Sequence, residues 1–254
     1  MKMDSFRKIR KLAGKAIGDY NMIGKDDFIL AALSGGKDSM ILLLVLNELR
    51  KKAPVPFRLE AATFDPGFDG FETESTRMFC ESLGIPHHIV KLKVKPVIER
   101  TETEHKPCVL CSRLRRGNLY ALAKKIGANK IALGQHLDDI AVSFFISACR
   151  GGGLTTMGPN VSSDDGALQI IRPLAYTEEK LIAEAAREKG IIPHGECIYK
   201  KQLEENGDRA YFKNLLREME KEIPDLMQNL LHSLSDIRPA YLLDRRYIPQ
   251  LDRK

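Results

Sequence analysis

Ser34-Gly35-Gly36-Lys37-Asp38-Ser39 separates two apolar runs of different character, and that junction restricts the chain to few folds. Residues 28–33 ahead of it show no polar alternation, as expected of a parallel strand buried on both faces. Residues 40–49 behind it are too many for a strand and rich in Leu, which favours helix. The six residues are therefore a turn from a buried strand into a helix. Two glycines let a ligand approach the backbone, and the unpaired N–H groups with the positive end of the helix dipole favour an anion. The spacing matches neither GxxxxGK[ST] nor GxGxxG. A plain glycine turn capped by Ser34 would leave the charged Lys37-Asp38 pair unexplained between two buried elements.

The rest of the chain continues the alternation. Residues 59–64 predict a second strand ending at Asp65-Pro66-Gly67, and residues 72–83 a helix. Residues 88–94 alternate as a strand near a sheet edge would. Residues 130–134 and 169–174 predict a fourth and a fifth strand, with a helix over 138–149 between them. This order implies an α/β fold: an open, mainly parallel five-stranded sheet with helices on both faces. In such sheets ligands bind beyond the carboxyl ends of the strands, where Ser34, Asp65 and Gly134 would converge. Residues 1–25 predict a basic N-terminal helix, 26–200 the α/β domain, and 201–254 a helical appendage with helices over 209–222 and 224–233. The Gly-, Ser- and Asp-rich stretch 151–166 is either a lid or a surface loop.

The formal net charge of +6 is compatible with a polyanionic partner such as nucleic acid. No run of about eighteen apolar residues exists, and the charged start of the chain is unlike a signal sequence, so a cytoplasmic protein without a membrane span is expected. Five cysteines without a secretion signal favour reduced thiols over a disulfide framework. Cys108 and Cys111 form a CxxC at a predicted helix start, where the dipole and Arg113, Arg115 and Arg116 lower thiol pKa values. Spacing leaves zinc, an iron–sulfur cluster and a redox dithiol open. Cys80 and Cys149 are expected to pack in the core.

Ser34 to Ser39 resembles the SGGxDS signature of the PP-loop ATP pyrophosphatases, which cleave ATP between its α- and β-phosphates and adenylate a substrate carbonyl. Residues 107–117, Gly134-Gln135-His136-Leu137-Asp138-Asp139, Ile171-Arg172-Pro173-Leu174 and Cys197 further resemble the tRNA 2-thiocytidine synthetases of the TtcA type. The resemblance implies that ATP is bound by Ser34, Gly35, Gly36, Lys37, Asp38, Ser39, Thr63, Asp65, Gly134 and His136. It implies catalytic roles for Lys37, Asp38, Asp138 and Asp139, the last two holding Mg²⁺, and a [4Fe–4S] cluster on Cys108, Cys111 and Cys197. It also implies tRNA as substrate, a cysteine desulfurase as sulfur source and a homodimer. The chain departs from the usual GHHxDD of these relatives by carrying Gln135, which holds no proton charge, whereas His136 can. A closed zinc site on Cys108, Cys111, His194 and Cys197 is the competing reading, and relatives often carry Cys where this chain has His194. Two other functions fit in part: a PP-loop ligase of the lysidine-synthetase type, which would leave the thiols idle, and a zinc-stabilised RNA-binding protein.

Overall fold

The buried run before the glycine turn forms β1 (Phe28–Ala32) in the computed structural model, which describes residues 4–67, 71, 73–92, 107–193 and 207–247, with residues 107–111 described by backbone alone. Successive side chains of a strand point to opposite faces. Accordingly Ile29, Ala31 and Leu33 enter one core, and Phe28 and Leu30 the other. The same partition holds in β2 (Arg58–Asp65), whose Leu59 and Ala61 face the first core and Ala62 and Phe64 the second. Each such Leu or Ile contributes roughly 1.5–3 kcal/mol by leaving water.

The first core is closed by α1 (Ser5–Asp19), α2 (Lys37–Arg50), Cys80 of α3 (Glu74–Leu83) and, late in the chain, α6 (Glu179–Glu188). Phe6, Ile9, Ala13 and Ala16 recur at helical spacing and seat α1 in that core. Its start is fixed twice: Arg7 N–H donates to Asp4 Oδ1 at 2.6 Å, and Ser5 N–H donates to the Glu188 carboxylate at 3.0 and 3.1 Å. The second core is closed by Leu119 and Ala123 of α4 (Pro107–Ile126). A third core joins α5 (Leu137–Cys149) to α7 (Asp208–Glu222) and α8 (Leu226–Ser235) through Val142, Phe212, Leu216 and Met227. Two short 3₁₀ turns, Pro239–Tyr241 and Arg245–Tyr247, end the described chain.

With β3 (His87–Lys91), β4 (Lys130–Ala132), β5 (Asn160–Ser162) and β6 (Gln169–Ile171), the sheet runs β3-β2-β1-β4-β6-β5. All neighbours are parallel except β5 and β6. The α/β class and the edge position of the third strand are as expected, and among the described residues the sheet holds six strands rather than five. The extra strand is β5, three residues inside the stretch expected to be a lid or loop; Val161 and Ser162 are exposed, so no buried pattern announces it. β1, β4 and β6 end one to three residues before the expected strands do, and β2 is one residue longer at each end; residues 93–94, the close of the third expected strand, and Glu72, the start of the next expected helix, lie outside the described residues. Cys80 is buried as expected, but Cys149 is not. It closes the last turn of α5, where residues 148–150 are all exposed. Among the described residues no helix is long and apolar enough to cross a membrane.

Candidate active site

The chain moves outward from β1 through β2 to β3 and then returns to β4 on the other side of β1. The turns after β1 and β4 therefore leave the carboxyl edge side by side, the place where such sheets bind ligands. Gly35 takes φ +81°, a conformation that suits glycine, and Gly36 caps α2. Hydroxyls lace the turn: Ser34 N–H donates to Ser39 Oγ at 3.1 Å, and Ser39 Oγ donates to the Gly36 carbonyl at 2.9 Å. No side chain caps α2, so its first N–H groups remain available to an anion. A Cβ on Gly134 would stand 3.0 Å from Ser39 N and 3.1 Å from the carbonyl of Asp38. Glycine is thus what lets the β4 turn close against the start of α2. Thr63 supports the loop from below: it is 1% exposed, and its hydroxyl donates to the Leu33 carbonyl at 2.9 Å while lying 2.8 Å from His87 Nε2.

Charged groups from four helices meet around this turn. Lys37 Nζ donates to Glu179 Oε1 at 2.9 Å and lies 3.2 Å from Asp38 Oδ1. That second contact is not aligned as a hydrogen bond, so Asp38 Oδ1 is buried with no donor. Such an oxygen is costly unless a ligand or ion completes it. Asp138 Oδ2 accepts the backbone N–H of Glu179 at 2.7 Å and lies 3.4 Å from Nδ1 of the buried His136. Asp139 Oδ2 accepts the backbone N–H of His136 at 3.2 Å, and Asp139 Oδ1 is paired with Arg209. Glu179 Oε2 meets Lys213 Nζ at 2.7 Å.

The electrostatics follow from these contacts. Burial opposes the imidazolium of His136, but Asp138, Asp139 and Asp38 outweigh it and raise its pKa. Burial likewise opposes the charge on Glu179, yet Lys213 and Lys37 bring its pKa down to about 2. Lys37 is desolvated too, and Asp38 and Glu179 more than compensate, so its pKa rises.

Ser34 to Ser39, Gly134, His136, Asp138 and Asp139 thus come together as one cluster at the carboxyl edge. Asp65 stands at the end of β2, where its Oδ1 accepts the Gly67 N–H at 2.8 Å in an Asp-Pro-Gly turn. Among the described residues, no group of three or more His, Cys, Asp or Glu is arranged to hold a metal ion. The carboxylates of Asp138 and Asp139 are instead engaged with Glu179, His136 and Arg209. Gln135 Oε1 accepts from Arg172 Nε at 2.5 Å, and Arg172 also donates to the Gly158 carbonyl at 2.5 Å. Cys197 and His194 lie outside the described residues, as do the side chains of Cys108 and Cys111. α4 leads the chain into the amino end of β4, so a helix crossing the sheet in that sense begins at the carboxyl edge. Glu179, Lys213 and Arg209 are the site residues that sequence reasoning missed. A signal for α6 was present in Glu178-Glu179 followed by buried Ile182, Ala185 and Ala186 and then Gly190 at φ +63°. Nothing in it marked Glu179 as a partner of Lys37.

Residues 1–222 match the family described as PP-loop domain. The chain is 38% identical over 240 residues to a tRNA-cytidine(32) 2-sulfurtransferase of Syntrophotalea carbinolica, covering 94% of this chain and 92% of that one. The chain belongs to this family. A tRNA-cytidine(32) 2-sulfurtransferase of Azotobacter vinelandii is 41% identical over 243 residues, covering 94% of this chain and 87% of the relative. Among solved structures, the U34-tRNA thiolase NcsA from Methanococcus maripaludis with its [4Fe-4S] cluster superposes at TM-score 0.72 with 21% identity, covering 92% of this chain and 80% of that one. At that identity the likeness shows the fold. An NH3-dependent NAD synthetase from Campylobacter jejuni shares the fold more distantly, with TM-score 0.51 and 15% identity over 92% of this chain and 94% of that one.

Proposed function

We propose that this protein uses ATP to replace the C2 oxygen of a cytidine in tRNA with sulfur, at the position 32 that names its relatives. The observation that carries the reading is the joining of the Ser34–Ser39 turn and the Gly134–Asp139 turn at one edge; the start of the CxxC helix on that side of the sheet supports it. The first N–H groups of α2 and the ammonium of Lys37 suit the β- and γ-phosphates, and Asp38, with an oxygen lacking any donor, suits a Mg²⁺ beside them. The C2 oxygen of the base attacks the α-phosphorus, pyrophosphate leaves, and sulfide then displaces AMP at C2. Lys37 neutralises charge building on the phosphates. His136, whose pKa is raised by the carboxylates around it, is placed to order Asp138 and Asp139. Cys108, Cys111 and Cys197 offer three soft thiolates, a donor set suited to a [4Fe–4S] cluster with one open iron, and such a cluster supplies the binding place for the sulfur.

A cysteine desulfurase as the ultimate sulfur source and a homodimeric state belong to the same proposal. Anaerobically purified protein should carry iron and acid-labile sulfide, and Cys197→Ser should lose both along with thiolation of tRNA while still binding ATP. One tightly held zinc without sulfide would replace the mechanism with the zinc-stabilised alternative.

A further inference from the structure

Glu179 is shared between two cations on different helices. Its Oε1 takes the ammonium of Lys37 at 2.9 Å, and its Oε2 takes Lys213 Nζ at 2.7 Å, with Arg217 at 4.0 Å. Lys213 and Arg217 lie four residues apart on α7, in register with Arg209, which pairs with Asp139. The spacing puts all three on one face of α7, while Phe212 and Leu216 seat the helix on α5. A pocket of about 350 Å³ opens between these helices, lined by Lys37, Asp138, Glu179, Lys213 and Arg217. The backbone N–H of Glu179 is bonded to Asp138 Oδ2 at 2.7 Å. Its side chain is what bridges Lys37 and Lys213.

We propose that Glu179 is a positioning residue for Lys37, and that Lys213 sets how firmly Glu179 holds it. This rests on the reading that Lys37 serves the phosphates of ATP. A carboxylate bonded to Lys37 competes with phosphate for the same ammonium. Lys213 draws part of that carboxylate's hydrogen-bonding capacity away, so the α7 face adjusts the affinity of the anion turn without touching the nucleotide. The appended helix thereby becomes a control on the ATP site, and anything that moves α7, a bound tRNA included, would be felt at Lys37.

The test is a double-mutant cycle read by equilibrium binding of a non-hydrolysable ATP analogue with Mg²⁺, which needs neither cluster nor turnover. Glu179→Gln frees Lys37 and should tighten binding, whereas Lys213→Gln returns the whole carboxylate to Lys37 and should weaken it. Each change should be about two- to fivefold, the range of a partly exposed ion pair. In the Glu179→Gln background, Lys213→Gln should do nothing further. Lys180 lines the same pocket but pairs with Glu178 at 2.6 Å and Glu220 at 3.0 Å, so Lys180→Gln should leave binding unchanged. Equal effects of Lys213→Gln in both backgrounds, or an equal effect of Lys180→Gln, would reduce the network to general charge and overturn the proposal. Wild-type protein that bound no analogue would overturn the functional reading first. Glu179→Gln is isosteric, and matching circular dichroism melts of the three variants separate a binding change from misfolding.

Discussion

Asp138 Oδ2 accepts the backbone N–H of Glu179 at 2.7 Å, so an acid in the first turn of α5 caps a different helix, α6. The residue at the N-cap of α6, Glu178, makes no side-chain cap bond of its own. Asp138→Ala should therefore cost about 1 kcal/mol of stability, the usual worth of a lost cap. Asp138→Asn keeps an acceptor oxygen and should recover most of the stability but not the ordering of His136. Urea midpoints of the two variants check this, and equal losses would place the cost elsewhere.

Gly134→Ala tests the closeness of the two turns. The added methyl would meet backbone atoms of Asp38 and Ser39 at 3.0–3.1 Å, neither being the end of a flexible side chain. Overpacking of this kind costs about 1–3 kcal/mol, and the α2 start would shift with it. A lower melting temperature together with weaker binding of the ATP analogue is the expected result. Unchanged binding would mean that the turn tolerates displacement.

The pH dependence of stability should carry the signature of His136. Its folded pKa is raised above the ordinary value of 6.5, because three nearby carboxylates outweigh the cost of burial. A raised histidine contributes stability that is complete below the unfolded value and disappears as pH climbs through the folded one. Wild type should thus lose stability relative to His136→Gln from about pH 6.5 upward. Urea titrations at about pH 6 and pH 8.5 measure the difference, and an advantage growing with pH would contradict the assignment.

Arg172 ties Gln135 to the Gly158 carbonyl, joining the β4 turn to the chain that leads into β5. Arg172→Leu removes both bonds. Hydrogen bonds to a charged group are worth about 1.5–3 kcal/mol, so the 151–159 stretch should open and be cut faster by proteases at its glycines. Identical cleavage rates in wild type and variant would show that the clamp does not hold the loop.

Elements built on local periodicity were legible before any coordinates. β1 and α2 were plain because an unbroken apolar run met a long Leu-rich one across Gly35 and Gly36, and α7 because Phe212 and Leu216 recur at helical spacing. β5 was hidden, since three residues with two of them exposed leave no pattern, and only pairing with β6 defines it. Cys149 misled for the opposite reason: an apolar neighbourhood in sequence does not reveal that a helix outruns its cover.

The acids at 138 and 139 mark the boundary between the two kinds of information. Sequence alone pointed to five of the six strands with the helices between them, to a glycine turn at residues 34–39 opening a helix, and to three cysteines as candidate metal ligands, because each depends on residue type and short spacing. Tertiary structure decided which charges meet. Lys37 and Glu179 are 142 residues apart, and Asp138 is 41 residues from the N–H it caps. Hydrogen bonds and ion pairs act over about 3 Å of space whatever the separation along the chain, so only the folded sheet could assign Asp138 to a helix cap and Glu179 to the lysine of the turn.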